Sequence, residues 1–258
     1  LWLNDVKVWT PERDKNPTMY SVHDEDGQGL VRVYTTEELE DRLDLKLREE
    51  PAISEEFARS LRDLVRSTPK TASKRFFNQL FGGRQDSAVL GDLLAVILNN
   101  SMYTYKIAGP QVRVETEVIE RLSEHAGYGS RGFGTIAPGG SMSNLMGLVM
   151  ARDRFDPEIR LRGNSRPMTV YTSEECHYSI KKNAMLIGLG TQSVRFVPVN
   201  EGGQMDTEAL DSMIQKDKAL GFHPIMVNAT AGTTVLGAFD PIREISEIAT
   251  RHGIWLHV

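Results

Sequence analysis

Ala137-Pro138-Gly139-Gly140-Ser141-Met142-Ser143-Asn144 is the stretch from which the rest of this chain is best read. Two adjacent glycines let the backbone come close to a ligand. Two hydroxyl residues follow where a helix is about to start. A helix N-terminus has unpaired N–H groups and the positive end of the helix dipole, so it suits an anion, and phosphate is the natural occupant. A glycine turn with a serine N-cap would look the same. The string alone leaves both readings open.

Downstream, the pattern alternates. A helix is predicted over 141–155, a β-rich run over 168–172, and an amphipathic helix over 178–187 that Gly188 ends. A strand follows at 193–199, then a helix over 206–216 with Asp206 as a possible N-cap, then a strand at 224–230. Asp240-Pro241 caps and opens another helix, with proline at its first position. Gly253 closes it before an apolar strand at 254–258. Strands alternating with helices on short loops predict an α/β fold, a mostly parallel sheet flanked by helices on both faces.

Upstream, residues 1–35 read as a polar, extended arm. Asp24-Glu25-Asp26-Gly27 lacks the ligand spacing of a calcium loop and reads as a solvated acidic turn. Residues 36–69 are predicted helical, with Glu37, Glu38 and Glu40 in the first turn, where a helix favours acids, and Phe57, Leu61, Leu64 and Val65 at helical spacing. Further helices are predicted at 88–99 and 114–125, the latter stopped by Gly127. The chain divides on this reading into an N-terminal arm and helical segment, 1–110, and the first part of a large α/β domain, 111–258.

Composition sets outer bounds. The chain has 258 residues, 40% hydrophobic and 25% charged, enough for a sizeable core. A net charge of -5 gives no nucleic-acid footprint. No apolar run approaches the ~18 residues that cross a bilayer, and the stretch Leu1-Trp2-Leu3-Asn4-Asp5 reads as too short and too quickly charged for a signal peptide. The one cysteine, Cys176, allows no intrachain disulfide and fits a reducing, cytoplasmic setting.

Two more loops carry possible chemistry. Ser173-Glu174-Glu175-Cys176-His177-Tyr178-Ser179 joins a strand end to a helix. Ligands of parallel sheets gather beyond the carboxyl ends of strands. His177 there could stack on an aromatic cofactor, move protons, or be a hydrogen-bonded structural residue. Cys176 has no basic neighbour by spacing and reads as packing. Asn228-Ala229-Thr230-Ala231-Gly232-Thr233-Thr234 closes the next strand, either as a seat for a planar ligand or as a polar turn. Together the three loops form a cofactor-site hypothesis without a reaction.

In this order and at these spacings, Arg75-Phe76-Phe77-Asn78-Gln79-Leu80, Tyr103-Thr104-Tyr105, Pro138 to Asn144, His177-Tyr178-Ser179-Ile180-Lys181-Lys182, Asn228 to Asp240 and Trp255-Leu256-His257-Val258 resemble the group II pyridoxal-phosphate decarboxylases of the fold-type I superfamily. The likeness covers about residues 70–258 and is greatest to the glutamate and cysteine sulfinate decarboxylase branch. It implies pyridoxal 5'-phosphate as cofactor and a homodimer. It places Gly140, Ser141, Met142 and Ser143 on the cofactor phosphate, His177 as the catalytic imidazole stacked on the ring, and Thr234 as a support for the ring. Gln79 would reach the substrate carboxylate. Phe81 and Tyr103 stand where glutamate decarboxylases carry serine and phenylalanine. A bulky Phe81 should shorten the pocket and favour cysteine sulfinate or aspartate over glutamate, although one methylene discriminates only about 10–200-fold.

The resemblance has departures. Lys106 replaces an acid of the family's pattern, and Pro110 is displaced by one position. The aspartate that pairs with the pyridine nitrogen and the lysine that anchors the cofactor would both lie beyond Val258. Residues 1–258 alone are therefore expected to show no turnover and to leave a sheet edge exposed after residues 254–258. Two other readings stay open: another fold-type I enzyme, an aminotransferase or lyase, and a non-catalytic partner that keeps the dimerisation surface.

Overall fold

A computed structural model describes residues 34–44, 49, 53–74, 76, 80 and 82–258. The predicted arm therefore falls largely outside the described residues, as do Gln79 and Phe81. The chain divides into two units, residues 1–99 and 100–258.

In the first unit lie helices α1 (Thr36–Arg42), α2 (Ser54–Ser67) and α3 (Asp86–Leu98). Thr35 caps α1 in a reciprocal box. Its hydroxyl accepts from the Glu38 N–H, and the Glu38 carboxylate accepts from the Thr35 N–H. The helix expected over 36–69 is thus two helices. Leu43 leaves α1 in an extended conformation and ends it. No residue of the three helices is buried.

The second unit contains α4 (Tyr105–Ala108), α5 (Pro110–His125), α6 (Gly140–Phe155), α7 (Ile159–Arg162), β1 (Met168–Ser173), α8 (Ser179–Leu186), β2 (Val194–Val197), α9 (Thr207–Ala219), β3 (His223–Asn228), α10 (Ile242–His252) and β4 (Trp255–His257). The strands form one sheet in the order β2-β1-β3-β4, parallel throughout. The α/β expectation holds, with small shifts at element ends. Pro110, already in the right conformation for a helix start, begins α5 four residues earlier than predicted. β2 stops at Val197, and Val199 instead bridges antiparallel to Met205. Asp206 caps α9 as expected, accepting from the N–H groups of Glu208 and Ala209.

Registry decides what each face presents. Val194, Val170, Met226 and Trp255 are paired in a row across the sheet. They join Leu148 and Ala151 of α6 and Ile180 and Ala184 of α8 in one core. One residue further along, Arg195, Tyr171, Val227 and Leu256 form the next row. Tyr171, Val227 and Leu256 pack on the opposite face with Leu210, Ile214, Ile245 and Ile248 of α9 and α10. Because strand side chains alternate between faces, the third row (Phe196, Thr172, Asn228 and His257) returns to the α6/α8 side at the carboxyl ends of the strands.

The α9 side carries a buried polar staple. Asp217 of α9 accepts from the Tyr171 hydroxyl at 2.7 Å and from Arg195 Nε at 2.9 Å. Arg195 also donates to the Gln192 carbonyl and lies over the Phe222 ring. Burial, with Asp217 alongside, pushes the Tyr171 phenol well above its usual range. Removing one member of such a group strands the others without partners. Asp217→Ala should therefore cost about 3 kcal/mol, and Asp217→Asn, which keeps the shape and an acceptor, should cost less. Urea denaturation midpoints of the intact protein check both.

Candidate active site

All four strands run the same way, so Ser173, Val197, Asn228 and His257 end at one edge of the sheet. The loops that follow β1 and β3 hold the sequence's candidate residues. The α6 N-terminus lies on the face to which the third row of side chains returns.

That N-terminus is open. Gly139 takes φ 113°, a conformation suited to glycine, and no side chain caps the helix. Gly140, Ser141, Met142 and Ser143 are exposed. The Ser141 carbonyl accepts from Asn183 Nδ2 of α8 at 2.9 Å, which fixes the turn against α8. Of the two readings of the sequence, a serine-capped turn is not what forms.

His177 is half-buried, with its ring centroid 4.1 Å from that of Tyr178. Its Nδ1 lies 2.7 Å from Ser179 Oγ and 3.3 Å from the Ser179 N–H. No described residue hydrogen-bonds its Nε2. Ser179 Oγ accepts from Asn144 Nδ2 at 2.9 Å. Asn144 Oδ1, in turn, is 2.9 Å from His257 Nε2. Asn144 comes from α6, His177 and Ser179 from the β1–α8 loop and helix, and His257 from the end of β4. Three strings far apart in sequence thus share one hydrogen-bonded chain. Beside it, Asn228 Nδ2 donates to the Thr172 hydroxyl at 2.9 Å, satisfying two more buried groups of the same row.

The loop after β3 is held by Asp240. Its carboxylate accepts from the Thr230 N–H at 2.7 Å and from the Met205 N–H at 2.8 Å. The sequence reading gave Asp240 to the cap of the next helix, which instead begins at Ile242. Two backbone donors from other segments converge on this carboxylate, one on each oxygen, so both oxygens are engaged away from the helix. Thr233 is buried and its hydroxyl accepts from the Ala238 N–H, whereas Thr234 is exposed in the turn that follows.

The remaining candidates stand apart. Tyr103 is 85% exposed in the segment before α4. Cys176 packs against the apolar core, and burial pushes its thiol pKa up, away from a reactive thiolate. Among the described residues no group of His, Cys, Asp and Glu could hold a metal, and no helix is long and apolar enough to cross a membrane.

Asn144, Ser179, Asn183 and Asp240 had no assigned site role from sequence, although all but Asn183 fall inside the quoted strings. Their signal was present only as polar residues placed at helix starts and strand ends. What they bond to depends on which elements become neighbours.

The donor set suits a phosphorylated planar cofactor. An exposed, uncapped helix start with serines offers N–H and O–H donors for a phosphate. A half-buried imidazole and small loop residues can border a flat ring. The chain matches the pyridoxal-dependent decarboxylase conserved domain over residues 36–258. It is 44% identical to human cysteine sulfinic acid decarboxylase over 224 residues, which cover 86% of this chain and 45% of that protein. It is 41% identical to acidic amino acid decarboxylase GADL1 of Bos taurus, with 86% of this chain and 43% of that protein covered. The crystal structure of mouse CSAD superposes with a TM-score of 0.87 at 42% identity, over 90% of this chain and 49% of that one. The chain spans less than half the length of these curated relatives. It belongs to the pyridoxal-dependent decarboxylase family and shares the fold-type I α/β architecture.

Burial lowers the pKa of His257 below the ordinary imidazole value. As pH falls, the unfolded chain then takes up its proton before the folded one does. The contribution of His257 to stability should be complete above about pH 6.5 and be lost as pH falls through its folded pKa. Denaturation midpoints measured against pH should show this acid limb in the intact protein and a flatter one in His257→Gln.

Proposed function

We propose that this chain carries the cofactor-holding part of a decarboxylase acting on a small acidic amino acid, with cysteine sulfinate or aspartate favoured over glutamate. The observation that carries it is the gathering of His177, Ser179, Asn144 and His257 on the same sheet edge and face as the open start of α6. Membership in the family supplies the cofactor class, and the names of the relatives supply the substrate class.

On this reading Gly140, Ser141, Met142 and Ser143 would hold the phosphate of pyridoxal 5'-phosphate through N–H groups and hydroxyls. His177 would lie against its ring as the catalytic imidazole, and Thr234 would support the ring from the loop after β3. Gln79 would bind the substrate carboxylate. Phe81 and Tyr103 would set pocket length. When bound, the cofactor supplies the electron sink for the pair of electrons left by departing carbon dioxide.

The protein's own contribution is orientation. An anchored phosphate and a bordering imidazole restrict the ring to one plane, and an amide on the carboxylate aims the bond to be broken. The Asn183 bond to the Ser141 carbonyl and the Asp240 bonds to the β3 loop keep the two walls of the site at fixed places. A pocket shortened by Phe81 would discriminate by fit, which makes the substrate preference a matter of degree. The same reading takes the assembly to be a cytoplasmic homodimer. Exposed Leu90, Leu93, Leu94, Val96 and Ile97 on α3 support a surface that further protein covers.

Carbon dioxide release by the intact protein supplied with pyridoxal 5'-phosphate tests this directly. Cysteine sulfinate or aspartate should exceed glutamate in kcat/KM by about 10-fold or more. Phe81→Ser should narrow that gap by enlarging the pocket. No release from any of the three acids would overturn the proposal. His177→Ala should lower kcat on the order of 100-fold, which single-turnover rates would show.

A further inference from the structure

The hydrogen-bond chain at the sheet edge has a direction, and one backbone group reveals it. The Ser179 N–H faces His177 Nδ1 at 3.3 Å. A backbone amide can only donate, so Nδ1 carries a lone pair. Ser179 Oγ, 2.7 Å from the same nitrogen, must then donate to it as well. With its hydrogen committed, that hydroxyl accepts from Asn144 Nδ2 at 2.9 Å. The amide oxygen is left facing His257 Nε2 at 2.9 Å, and this nitrogen must bear a hydrogen. Flipping the Asn144 amide would ask the Ser179 hydrogen to serve two acceptors. It would also leave Nδ1 of His177 with the backbone donor alone.

The far end of the chain is built as carefully as the near end. His257 is half-buried, and burial favours its neutral form. A Cβ on Gly147 would lie 2.6 Å from His257 Nδ1 and 2.8 Å from its Cε1. The ring therefore sits against a position of α6 that admits no side chain, one turn from Asn144.

We propose that Asn144, Ser179 and His257 are positioning residues that lock His177 in the tautomer with its proton on Nε2. The proposal rests on the reading of His177 as the imidazole beside the cofactor. It deepens that reading by assigning the direction in which the imidazole acts. A neutral ring with Nδ1 occupied and Nε2 protonated presents an N–H to the site. His177 is thus a hydrogen-bond donor at Nε2 and not a base. In a decarboxylase the distinction has a consequence: a base beside the substrate would compete for its Cα proton, whereas a donor leaves that proton in place.

Nitrogen NMR of the intact protein, with its histidines labelled with 15N and cofactor present, reads the tautomer without reference to turnover. His177→Gln assigns the signal. Wild type should show His177 and His257 each as a single, neutral Nε2–H form. Asn144→Asp brings a carboxylate that has no hydrogen for Ser179 and draws the hydroxyl's own. It should populate the Nδ1–H form of His177, and Ser179→Ala should do the same if the first variant does not fold. Gly147→Ala should have that effect while leaving every member of the chain in the sequence. His257→Leu should shift His177, and His257→Gln, whose terminal NH2 can donate to Asn144, should restore the wild-type form. A His177 that is Nδ1–H or evenly mixed in wild type would overturn the proposal, as would a tautomer unmoved by both Asn144→Asp and Gly147→Ala. A locked tautomer in a protein that decarboxylates no acidic amino acid would uphold the relay and refute the function proposed above.

Discussion

Asn144 sits where three elements meet, and its amide serves two of them at once. It gives a hydrogen bond to Ser179 at the start of α8 and faces His257 at the end of β4. A side-chain amide inside a protein has both a donor and an acceptor to satisfy, and leaving either unpaired costs free energy. Here both are met only if α6, α8 and the edge strand lie in one arrangement. The catalytic candidate His177 takes its orientation from that arrangement through Ser179. Displacing any of the three elements would leave a polar group unpaired at the place where the proposed chemistry occurs.

The opposite face uses the same physics with charge added. Asp217 joins α9 to Tyr171 and Arg195. Asp240 joins the loop after β3 to the start of the segment that leads into α9. Each carboxylate is buried and each has at least two donors, which is the condition under which a buried charge can be kept. Apolar rows fill the space between these polar points, so packing supplies most of the cohesion and the hydrogen bonds select one geometry. The sheet edge that carries the candidate site is thereby tied down on both faces while the helix start at Gly139–Ser143 stays open to solvent.

Much of this was legible in the sequence because the relevant signals are local. Gly139-Gly140 before an apolar-periodic run marks a helix start. Asp206 followed by Thr207-Glu208 marks a cap, and the alternation of strand and helix marks a parallel sheet. Where local reading failed, a competing partner won. Asp240 looks like a helix cap until two backbone N–H groups from other segments converge on its carboxylate. The run over 36–69 has a helical pattern that α1 and α2 share only in part. Gln79 and Phe81, proposed to bind the substrate carboxylate and to set pocket length, were reached through family resemblance and not through any local pattern.

The sequence by itself determined the fold class, the glycine turn and helix start at Pro138–Asn144 and the placing of His177 at a strand end. These follow from glycine's conformational freedom, from the periodicity of apolar residues and from the rule that ligands gather at the carboxyl edge of parallel strands. Only the tertiary structure decided that Asn144, Ser179 and His257 belong to one hydrogen-bonded chain, and in which direction it runs. The reason is physical. Asn144 and His257 are 113 positions apart, and nothing in a one-dimensional pattern records which strand row faces which helix. That is set when registry places Thr172, Asn228 and His257 in one row and packing brings α6 down on it. The direction of the chain then follows from a single backbone N–H, a donor present in every residue but proline and informative only once its neighbour in space is known.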